Sequence, residues 1–339
     1  MNTPVFNFIV GIGRSGTTLL MSMLNSHPEL QATPEVNFFV FFYGSWKHKT
    51  DFTEADFVKV EFYMSKYDDR KQVSGFEWKT ELFRENIRNS PEINFEIIYK
   101  CFYESFVYAG APKAISHNFD KNPINTLFLQ DIIDILPNSK FIFLVRDPRA
   151  NFLSRKEKLK KRKADIYLDT KRWTHYNAAA LTVIEKNRDK FYILKYEDLV
   201  TDPKAELQKL ATFFNFPYDE SMLNFHTKVK ENSLKKVYEK SVRDYPQAKD
   251  KFEKLSRPVN TDRLDIWKSK LNKQEIGIVS DICRIAEKFG YDMSADKPKL
   301  STIQFCKGTL LARLDIIKSK LTCMLPVNVK LTIMKSLAR

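Results

Sequence analysis

The sequence predicts an α/β fold in which a P-loop-type parallel sheet is flanked by helices, with a helical aromatic-rich insertion and a basic helical C-terminal tail. Short apolar runs typical of buried strands alternate with segments of helical periodicity, as in parallel sheets covered by their crossover helices. A glycine-bearing loop joins the first such strand to the first helix. The chain has 339 residues, 43% hydrophobic and 13% aromatic, so it can bury a sizeable core and is not a disordered chain.

The elements of the first third follow from local signals. Pro4–Val10 is predicted to be a buried strand, because it is rich in β-branched and aromatic residues and ends at Gly11. A helix is expected from about Thr17 to Ser26, where His27-Pro28 stops it. The stretch 38–108 is dense in aromatic residues at helical spacing, so we expect it to be a helical insertion.

The same alternation continues along the rest of the chain. We expect strands at Pro112–His117, Lys140–Val145 and Phe191–Lys195 and helices at about Asn125–Leu136 and after Asp202-Pro203. The predicted organisation is one main domain over residues 1–299, which contains the insertion, and a basic amphipathic helical tail over 300–339.

Composition limits the class of protein. The net charge is +14, which favours an anionic partner, and the excess is concentrated in Arg155–Arg172 and in the tail. The four cysteines lie far apart, which argues against a disulfide scaffold and a zinc site. Neither a secretory leader nor an apolar run long enough to span a membrane is present. We therefore expect a cytoplasmic protein, and with no nucleic-acid motif we expect no nucleic acid as partner.

The loop after the first strand has the features of an anion site. Gly11-Ile-Gly-Arg-Ser-Gly16-Thr17-Thr18 stands between a strand and a helix, where glycines let backbone N–H groups surround an anion and the helix N-terminus adds further donors. Its glycine spacing is that of the nucleotide P-loop, but Thr17 occupies the position of the P-loop lysine. With Arg14 inside the loop, this change indicates an anion other than the β- and γ-phosphates of a nucleoside triphosphate.

A second phosphate site is predicted at the end of the Lys140–Val145 strand. Arg146 follows this strand directly, where open α/β sheets bind their ligands, and the arginine fork suits a phosphate. Ser154 lies about two helical turns further on and is placed to offer a hydroxyl to the same anion.

These two motifs resemble those of the sulfotransferases that use 3′-phosphoadenosine 5′-phosphosulfate (PAPS). The Gly-Arg-Ser-Gly-Thr-Thr loop is similar to their 5′-phosphosulfate loop, and Arg146 with Ser154 to their 3′-phosphate site. Within the family the chain is most similar to the tyrosylprotein sulfotransferase group and its bacterial relatives, over roughly residues 5–270. Five local segments carry this closer likeness: Ser26-His-Pro-Glu29, Pro34-Glu35, Lys121-Asn-Pro123, Tyr196-Glu-Asp-Leu-Val200 and Arg257-Pro-Val-Asn260.

The resemblance implies a role for each motif residue. Glu35 is the expected general base; Glu29 and, more remotely, His117 are the alternatives. Lys121 and Arg14 are the expected catalytic cations, with Lys121 bridging the donor and a sulfuryl oxygen. The PAPS-binding residues implied are Gly13, Arg14, Ser15, Gly16, Thr17 and Thr18 for the phosphosulfate, Arg146 and Ser154 for the 3′-phosphate, and Tyr196 and Arg257 for the rest of the nucleotide.

Two residues depart from the pattern of that group. Arg257 stands where the group has a lysine before Pro-Val-Asn, and Lys158 stands where an arginine is expected. Both changes keep the positive charge, so nucleotide binding is expected to persist. The acceptor is less constrained, because neither the membrane anchor nor the lumenal cysteines of the Golgi tyrosylprotein enzymes are found in this sequence.

The predicted function is transfer of a sulfuryl group from PAPS to an acceptor hydroxyl, releasing 3′,5′-diphosphoadenosine (PAP), without a metal. A glycan or lipid-linked saccharide is the expected acceptor, and a protein tyrosine is the alternative. A P-loop kinase or NTPase-like protein and a non-catalytic basic adaptor remain as alternative classes. In the tail, Ile303, Leu310, Leu314, Ile317, Leu321 and Leu325 share one helical face. This face is expected to dock on the main domain or on a partner subunit or, alternatively, to make a peripheral contact at the inner face of the membrane.

Overall fold

A five-stranded parallel sheet is the centre of the structure, a computed structural model that describes residues 4–67, 75–109, 114–158, 164–228, 239, 240, 243 and 249–337. Its strands are β1 (Val5–Val10), β2 (Leu30–Thr33), β5 (His117–Lys121), β6 (Phe141–Val145) and β7 (Phe191–Lys195), in the order β2-β5-β1-β6-β7. A separate antiparallel pair is formed by β3 (Phe76–Trp78) and β4 (Phe106–Tyr108). With helices flanking the parallel sheet, the predicted fold class is confirmed.

The central strands are held by buried side chains along the register of the sheet. Phe8 of β1 stands opposite Phe141 of β6, which in turn stands opposite Phe191 of β7. The three rings are stacked, with centroids 5.1 Å apart for the first pair and 4.7 Å for the second. Cross-strand aromatic pairs of this kind fix the register, since a slip of one residue would turn every ring to the other face.

The helices connect the strands and cover the sheet. Their bounds are α1 Thr17–Leu24, α2 Phe38–Trp46, α3 Glu54–Met64, α4 Thr80–Arg88, α5 Phe95–Glu104, α6 Leu129–Ile135, α7 Pro148–Lys158, α8 Ile166–Ile184, α9 Tyr196–Thr201, α10 Pro203–Phe214, α11 Phe225–Lys228, α12 Lys249–Leu255, α13 Ile266–Lys270, α14 Lys273–Ile282, α15 Thr302–Met324 and α16 Val327–Leu337. Short 3₁₀ helices occur at Pro123–Leu127, Arg188–Lys190, Glu220–Met222 and Arg284–Phe289.

One predicted strand is misplaced and another was missed. The prediction of a strand at Pro112–His117 is wrong, because residues 114–116 precede the strand and β5 begins at His117; residues 112 and 113 lie outside the described part. The reason is that β5 has a polar sequence, His-Asn-Phe-Asp-Lys, although all five residues are buried. β2 is only four residues long, too short for a periodicity to reveal it.

The aromatic-rich insertion is mainly helical, as predicted, and also contains the β3-β4 pair. Its rings pack on one another: Phe38 of α2 stacks on Phe102 of α5 with centroids 4.0 Å apart, and Phe42 lies 4.6 Å from Phe38. These three rings are fully buried. They therefore form a core beside the sheet and are not exposed to a ligand.

The tail packs against the main body of the chain. α15 lies against α8 and α2, and α16 lies against α2. An ion pair between Arg172 of α8 and Asp315 of α15 joins the two helices. Within the described residues, none of the helices has the combined length and apolarity that crossing a bilayer requires.

Candidate active site

The loop between β1 and α1 adopts a conformation that its glycines allow. Gly11 and Gly16 have positive φ angles of 128° and 101°, which side-chain-bearing residues rarely adopt. A Cβ atom on Gly11 would lie 2.2 Å from the carbonyl oxygen of Leu144, so the loop passes directly over β6. The Gly11 N–H donates to Thr126 Oγ1 at 2.8 Å. This turn brings the following backbone to the N-terminus of α1, where N–H groups have no intrahelical partner.

Arg146 lies under this loop at the carboxyl end of β6. Its side chain is buried, and its Nη1 and Nη2 atoms donate to the carbonyl oxygens of Arg14 and Arg263, each at 3.2 Å. The guanidinium carbon is 4.1 Å from the ring centroid of Tyr196, a cation–π contact. Its Nε atom is buried and has no hydrogen-bond partner among the described residues. A buried cation with an unused donor is suited to receive an anion.

The two predicted phosphate sites meet at Arg14 and Ser154. Arg14 has a φ of 76°, and its Nε and Nη2 atoms donate to Ser154 Oγ at 3.1 Å and 2.9 Å. On the same helix, Asn151 Nδ2 donates to the carbonyl oxygen of Gly13 at 3.1 Å and to Ser15 Oγ at 3.3 Å. α7 is thereby attached to the loop through one of its turns.

Positive charge accumulates at this point. Burial, and then the charge on Arg146, lower the pKa of Arg14. Partial desolvation, and then the charge on Arg14, lower the pKa of Lys158, whereas Glu35 acts to raise it. Burial is also the main cause of the lowered pKa of Arg146. Cations that repel one another and are partly desolvated are stabilised when an anion binds between them.

Glu35 and Lys121 come together at the same edge of the sheet. Lys121 is the last residue of β5, and Glu35 follows the neighbouring parallel strand β2 by two residues. Lys121 Nζ donates to Glu35 Oε1 at 2.7 Å. The Lys121 side chain is only 1% exposed, whereas that of Glu35 is 44% exposed. A carboxylate that faces solvent beside a buried ammonium group can accept a proton from a bound ligand.

The two alternative bases lie at the opposite edge. Glu29 precedes β2 and His117 begins β5, so both are at the amino ends of strands whose carboxyl ends carry Glu35 and Lys121. His117 Nε2 lies 3.0 Å from the carbonyl oxygen of Phe214, and burial lowers the pKa of His117. Neither residue is placed to reach a ligand at the loop.

Of the remaining predicted site residues, three lie at the loop and one is exposed. Thr17 and Thr18 are the first two residues of α1, at the helix N-terminus. The ring of Tyr196 packs against Gly16, since a Cβ there would lie 2.5 Å from the Tyr196 Cδ2 atom. Arg257 is exposed, and within the described residues no hydrogen bond joins it to the loop. Its role in nucleotide binding stays a prediction.

Several residues of the site were missed from the sequence. Asn151 contacts the loop, Thr126 caps Gly11, and the carbonyl of Arg263 holds Arg146. Trp173 Nε1 donates to the carbonyl oxygen of Arg146 at 3.2 Å. Only Asn151 offered a signal: it lies three residues before Ser154, so the two side chains share a helix face. The others come from distant segments that only the fold brings together.

Comparison with known proteins decides the family. A model described as the sulfotransferase family matches residues 7–220, more than half of the chain. The chain belongs to the sulfotransferase family. This confirms the predicted resemblance, enzyme class and donor: the protein is a PAPS-dependent sulfotransferase. No group of three or more metal-ligating side chains occurs in the described part of this sulfotransferase.

Curated relatives of this sulfotransferase are named as protein-tyrosine sulfotransferases. Protein-tyrosine sulfotransferase A of Caenorhabditis elegans is 26% identical over 312 residues, 87% of this chain and 70% of that protein. The protein-tyrosine sulfotransferase of Drosophila melanogaster is also 26% identical, over 86% of this chain and 52% of that protein. At this identity their acceptor is a guide for this chain and does not determine its acceptor.

Solved structures share the fold of the sulfotransferase. The sulfotransferase domain of the curacin biosynthetic pathway has a TM-score of 0.56 and 20% identity, covering 87% of this chain and all of that domain. The sulfotransferase domain of the Synechococcus olefin synthase has a TM-score of 0.55 and 22% identity, covering 86% of this chain and 97% of that domain. These likenesses support the architecture described above.

Proposed function

We propose that this sulfotransferase transfers the sulfuryl group of PAPS to the hydroxyl of a tyrosine in an acidic peptide, with Glu35 as the general base. The observation that carries the proposal is the contact between Lys121 Nζ and Glu35 Oε1 at 2.7 Å. It joins a buried cation and a solvent-facing carboxylate at the sheet edge that also holds the anion loop. A sulfuryl acceptor needs such a carboxylate, and the leaving phosphate needs such a cation.

The donor is held by the loop and the cations around it. Its 5′-phosphosulfate lies on the loop and the N-terminus of α1, against Arg14, Thr17 and Thr18. Its 3′-phosphate takes the unused Nε donor of Arg146 and the hydroxyl of Ser154. Because Arg14 and Ser154 are hydrogen-bonded to each other, binding of the donor replaces that contact with contacts to the two anionic groups.

The transfer is an in-line displacement at sulfur. The phenol oxygen of the acceptor forms a bond to sulfur while the bond between sulfur and the 5′-phosphate oxygen breaks. The phenol proton passes to Glu35, and the electron pair of the broken bond stays on the phosphate of PAP. Lys121 neutralises the charge that develops on that phosphate oxygen. Positioning and electrostatics provide most of the rate enhancement in this class of reaction.

Tyrosine is proposed as acceptor in place of the saccharide expected from the sequence. The curated relatives named above are protein-tyrosine sulfotransferases, and this supports the alternative acceptor over a glycan or lipid-linked saccharide. The excess of positive charge in Arg155–Arg172, which begins one residue after Ser154, suits a peptide with acidic residues beside its tyrosine. A phenol is also a stronger acid than a sugar alcohol, so a carboxylate takes its proton more readily during attack.

An acceptor competition tests this proposal. The purified chain is incubated with PAPS and a peptide that has a tyrosine between acidic residues. A matched peptide with phenylalanine in place of the tyrosine, and an oligosaccharide, are run in parallel. We expect sulfate on the tyrosine peptide by mass spectrometry, with equal release of PAP, and none on the phenylalanine peptide. Sulfate on the oligosaccharide alone would show that the saccharide is the acceptor and that the tyrosine proposal is wrong.

A further inference from the structure

α15 has two faces of different character, and the face of small side chains is the one that packs on the protein. Gly308, Ala312 and Cys323 are its buried residues. A Cβ on Gly308 would lie 2.7 Å from the Cβ of Tyr167, so the backbone of α15 approaches α8 closely. Gly44 of α2 makes a similar approach, since a Cβ there would lie 2.1 Å from the Cys323 carbonyl oxygen.

Phe305 and Ile316 also pack against the core, but most of the large apolar residues of α15 point the other way. At about 100° per residue, the following six side chains fall within a sector of about 80° opposite the small residues: Ile303, Leu310, Leu314, Ile317, Leu321 and Met324. We call these six residues the outer stripe. All of them are exposed, with Ile303 at 82%, Met324 at 73% and Leu321 at 58%. α15 does dock on the main domain, but the apolar face that was predicted to make this contact is exposed.

The outer stripe is unusual on this surface. α16 adds two further exposed apolar residues, Val329 and Ile333, at 43% and 47%. Elsewhere in the described part of the chain, exposed large apolar residues occur singly, as at Val58 of α3 and Ile193 of β7. A continuous apolar surface of this kind marks a contact with another molecule or with a membrane.

The charges beside the outer stripe have one sign. Lys307, Arg313, Lys318 and Lys320 are exposed along α15, and Lys335 is exposed on α16. The only acidic residue between 300 and 339 is Asp315, which is paired with Arg172 of α8. The surface thus presents apolar side chains between cations, and its single carboxylate, on Asp315, is already paired with Arg172.

We propose that α15 and α16 bind the surface of an anionic lipid bilayer. The outer stripe enters the boundary between headgroups and acyl chains, and Lys307, Lys318 and Lys320 lie against the lipid phosphates. Charge complementarity selects this occupant over a second copy of the chain, because a symmetric contact would place these cations against one another without a carboxylate to pair them. The helices stay docked through their small-residue face, so the enzyme is held beside the membrane while folded.

Vesicle binding tests this inference without reference to the acceptor. Cys306 lies in the first turn of α15 and is exposed, whereas the other three cysteines are buried, so an environment-sensitive dye attached there reports on the outer stripe. The labelled full chain is titrated with vesicles of phosphatidylcholine and with vesicles that also contain phosphatidylserine, and binding is confirmed by co-flotation. We expect a blue shift and co-flotation with the anionic vesicles only, both weakened by salt.

Two variants separate the apolar and charged contributions. Changing Leu310 and Leu321 together to Gln should reduce partitioning by about tenfold or more. Changing Lys307, Lys318 and Lys320 to Gln should reduce it by about 100-fold, since each lysine near the surface contributes roughly fivefold. Val58→Gln changes an exposed apolar residue outside the tail and should leave partitioning unchanged.

Three results would overturn the inference. One is absence of binding of the full chain to anionic vesicles. Another is equal binding to vesicles with and without phosphatidylserine. The third is a dimer of the full chain by analytical ultracentrifugation that the Leu310 and Leu321 variant abolishes, because the outer stripe is then an interface between copies. Circular dichroism of each variant, and its release of PAP, show that it is folded.

Discussion

Glu35 and Glu29 are chemically identical side chains that the fold places at opposite edges of one sheet. Glu35 follows the carboxyl end of β2 and contacts Lys121 at 2.7 Å, whereas Glu29 precedes the amino end of the same strand. In open α/β sheets the ligand binds at the carboxyl edge. Position in the sheet, and not the intrinsic acidity of the side chain, therefore distinguishes the proposed base from its alternative.

A matched pair of substitutions tests that distinction. Glu35→Gln should lower kcat by about 100-fold or more, because the acceptor proton then has no carboxylate to receive it. It should leave the affinity for PAP nearly unchanged, because the glutamine amide oxygen can still accept the hydrogen bond from Lys121. Glu29→Gln should leave both quantities unchanged. Turnover is measured by PAP release and affinity by calorimetry; a comparable loss in both variants, or none in Glu35→Gln, would contradict the assignment.

Arg146 combines burial with an unused donor, so its substitution should affect binding of the nucleotide. Arg146→Ala removes a charge-assisted contact worth about 1.5–3 kcal/mol, and PAP should bind roughly 10- to 100-fold more weakly. Arg284→Ala, at an exposed arginine remote from the loop, is the matched control. Calorimetric titration with PAP, with ATP and Mg²⁺ as competitor, gives the result. Unchanged affinity in Arg146→Ala would place the 3′-phosphate elsewhere, and stronger binding of ATP would favour a kinase-like protein.

At the scale of elements, the conformation of the loop between β1 and α1 requires a glycine at position 11 more than at position 13. Gly11 has a φ of 128° and no room for a Cβ, whereas nothing lies within 4 Å of a Cβ at Gly13. Gly11→Ala should therefore lower the free energy of unfolding by about 2–4 kcal/mol, and Gly13→Ala by less than about 1 kcal/mol. Urea denaturation measures both, and equal losses would show that the loop relaxes away from β6.

Sequence reasoning predicted best the elements in which the buried side chains are apolar. β6 is an apolar run that is buried throughout, and its observed bounds differ from the predicted ones by one residue. β5 was misplaced because its buried residues Asn118 and Asp120 are polar; Tyr99 and Asn125, from other segments, donate to Asp120 at 2.6 Å and 2.7 Å. Partners that compensate a buried polar residue are set by the tertiary fold, and no local pattern reports them.

The candidate site shows the same division. The loop, Arg146 and Ser154 were recognisable because a strand and a helix bracket short motifs of fixed spacing. The contact between Glu35 and Lys121 joins residues 86 positions apart, and its existence followed from the resemblance and not from any spacing. Thr126 and the carbonyl of Arg263 gave no signal, since they act through a hydroxyl and a backbone group that many residues provide. The Trp173 indole gave none because it donates to a backbone carbonyl in a distant segment.

Across the whole molecule, positive charge is concentrated in two separate regions. One group of cations surrounds the anion loop, and the other lies along α15 and α16. The two groups meet different environments, since Arg14 and Arg146 are desolvated by the protein and Lys307, Lys318 and Lys320 are exposed. Salt should therefore weaken vesicle binding more than PAP binding, because buried charges are screened less.

The attachment of the tail to the rest of the molecule includes a buried lysine. Lys330 of α16 is 4% exposed, and its Nζ atom donates to the carbonyl oxygens of Val40, Phe41 and Cys323 at 3.0 Å, 2.6 Å and 3.0 Å. Burial lowers the pKa of Lys330 to about 8, from an ordinary value of 10.5. The carbonyl oxygens satisfy the ammonium donors, but no carboxylate offsets its charge.

This lowered pKa predicts how stability changes with pH. Between about pH 8 and 10.5 the unfolded chain holds a proton on Lys330 that the folded chain has released, so unfolding takes up a proton and stability gains as pH rises. Below pH 8 both states are protonated and the contribution is constant. Lys330→Met removes the titrating group, so the stability of the wild type relative to this variant should rise by about 1–2 kcal/mol from pH 8 to pH 10.

The exposed Lys320→Met variant should run parallel to the wild type in urea denaturation across the same range, because its charge is solvated in both states. Groups such as Cys283, whose pKa burial raises to about 12, titrate alike in all three proteins and cancel in the comparison. A wild type and Lys330→Met variant with parallel pH profiles would mean that Lys330 stays hydrated in the folded protein, and hence that α16 is not seated on α2.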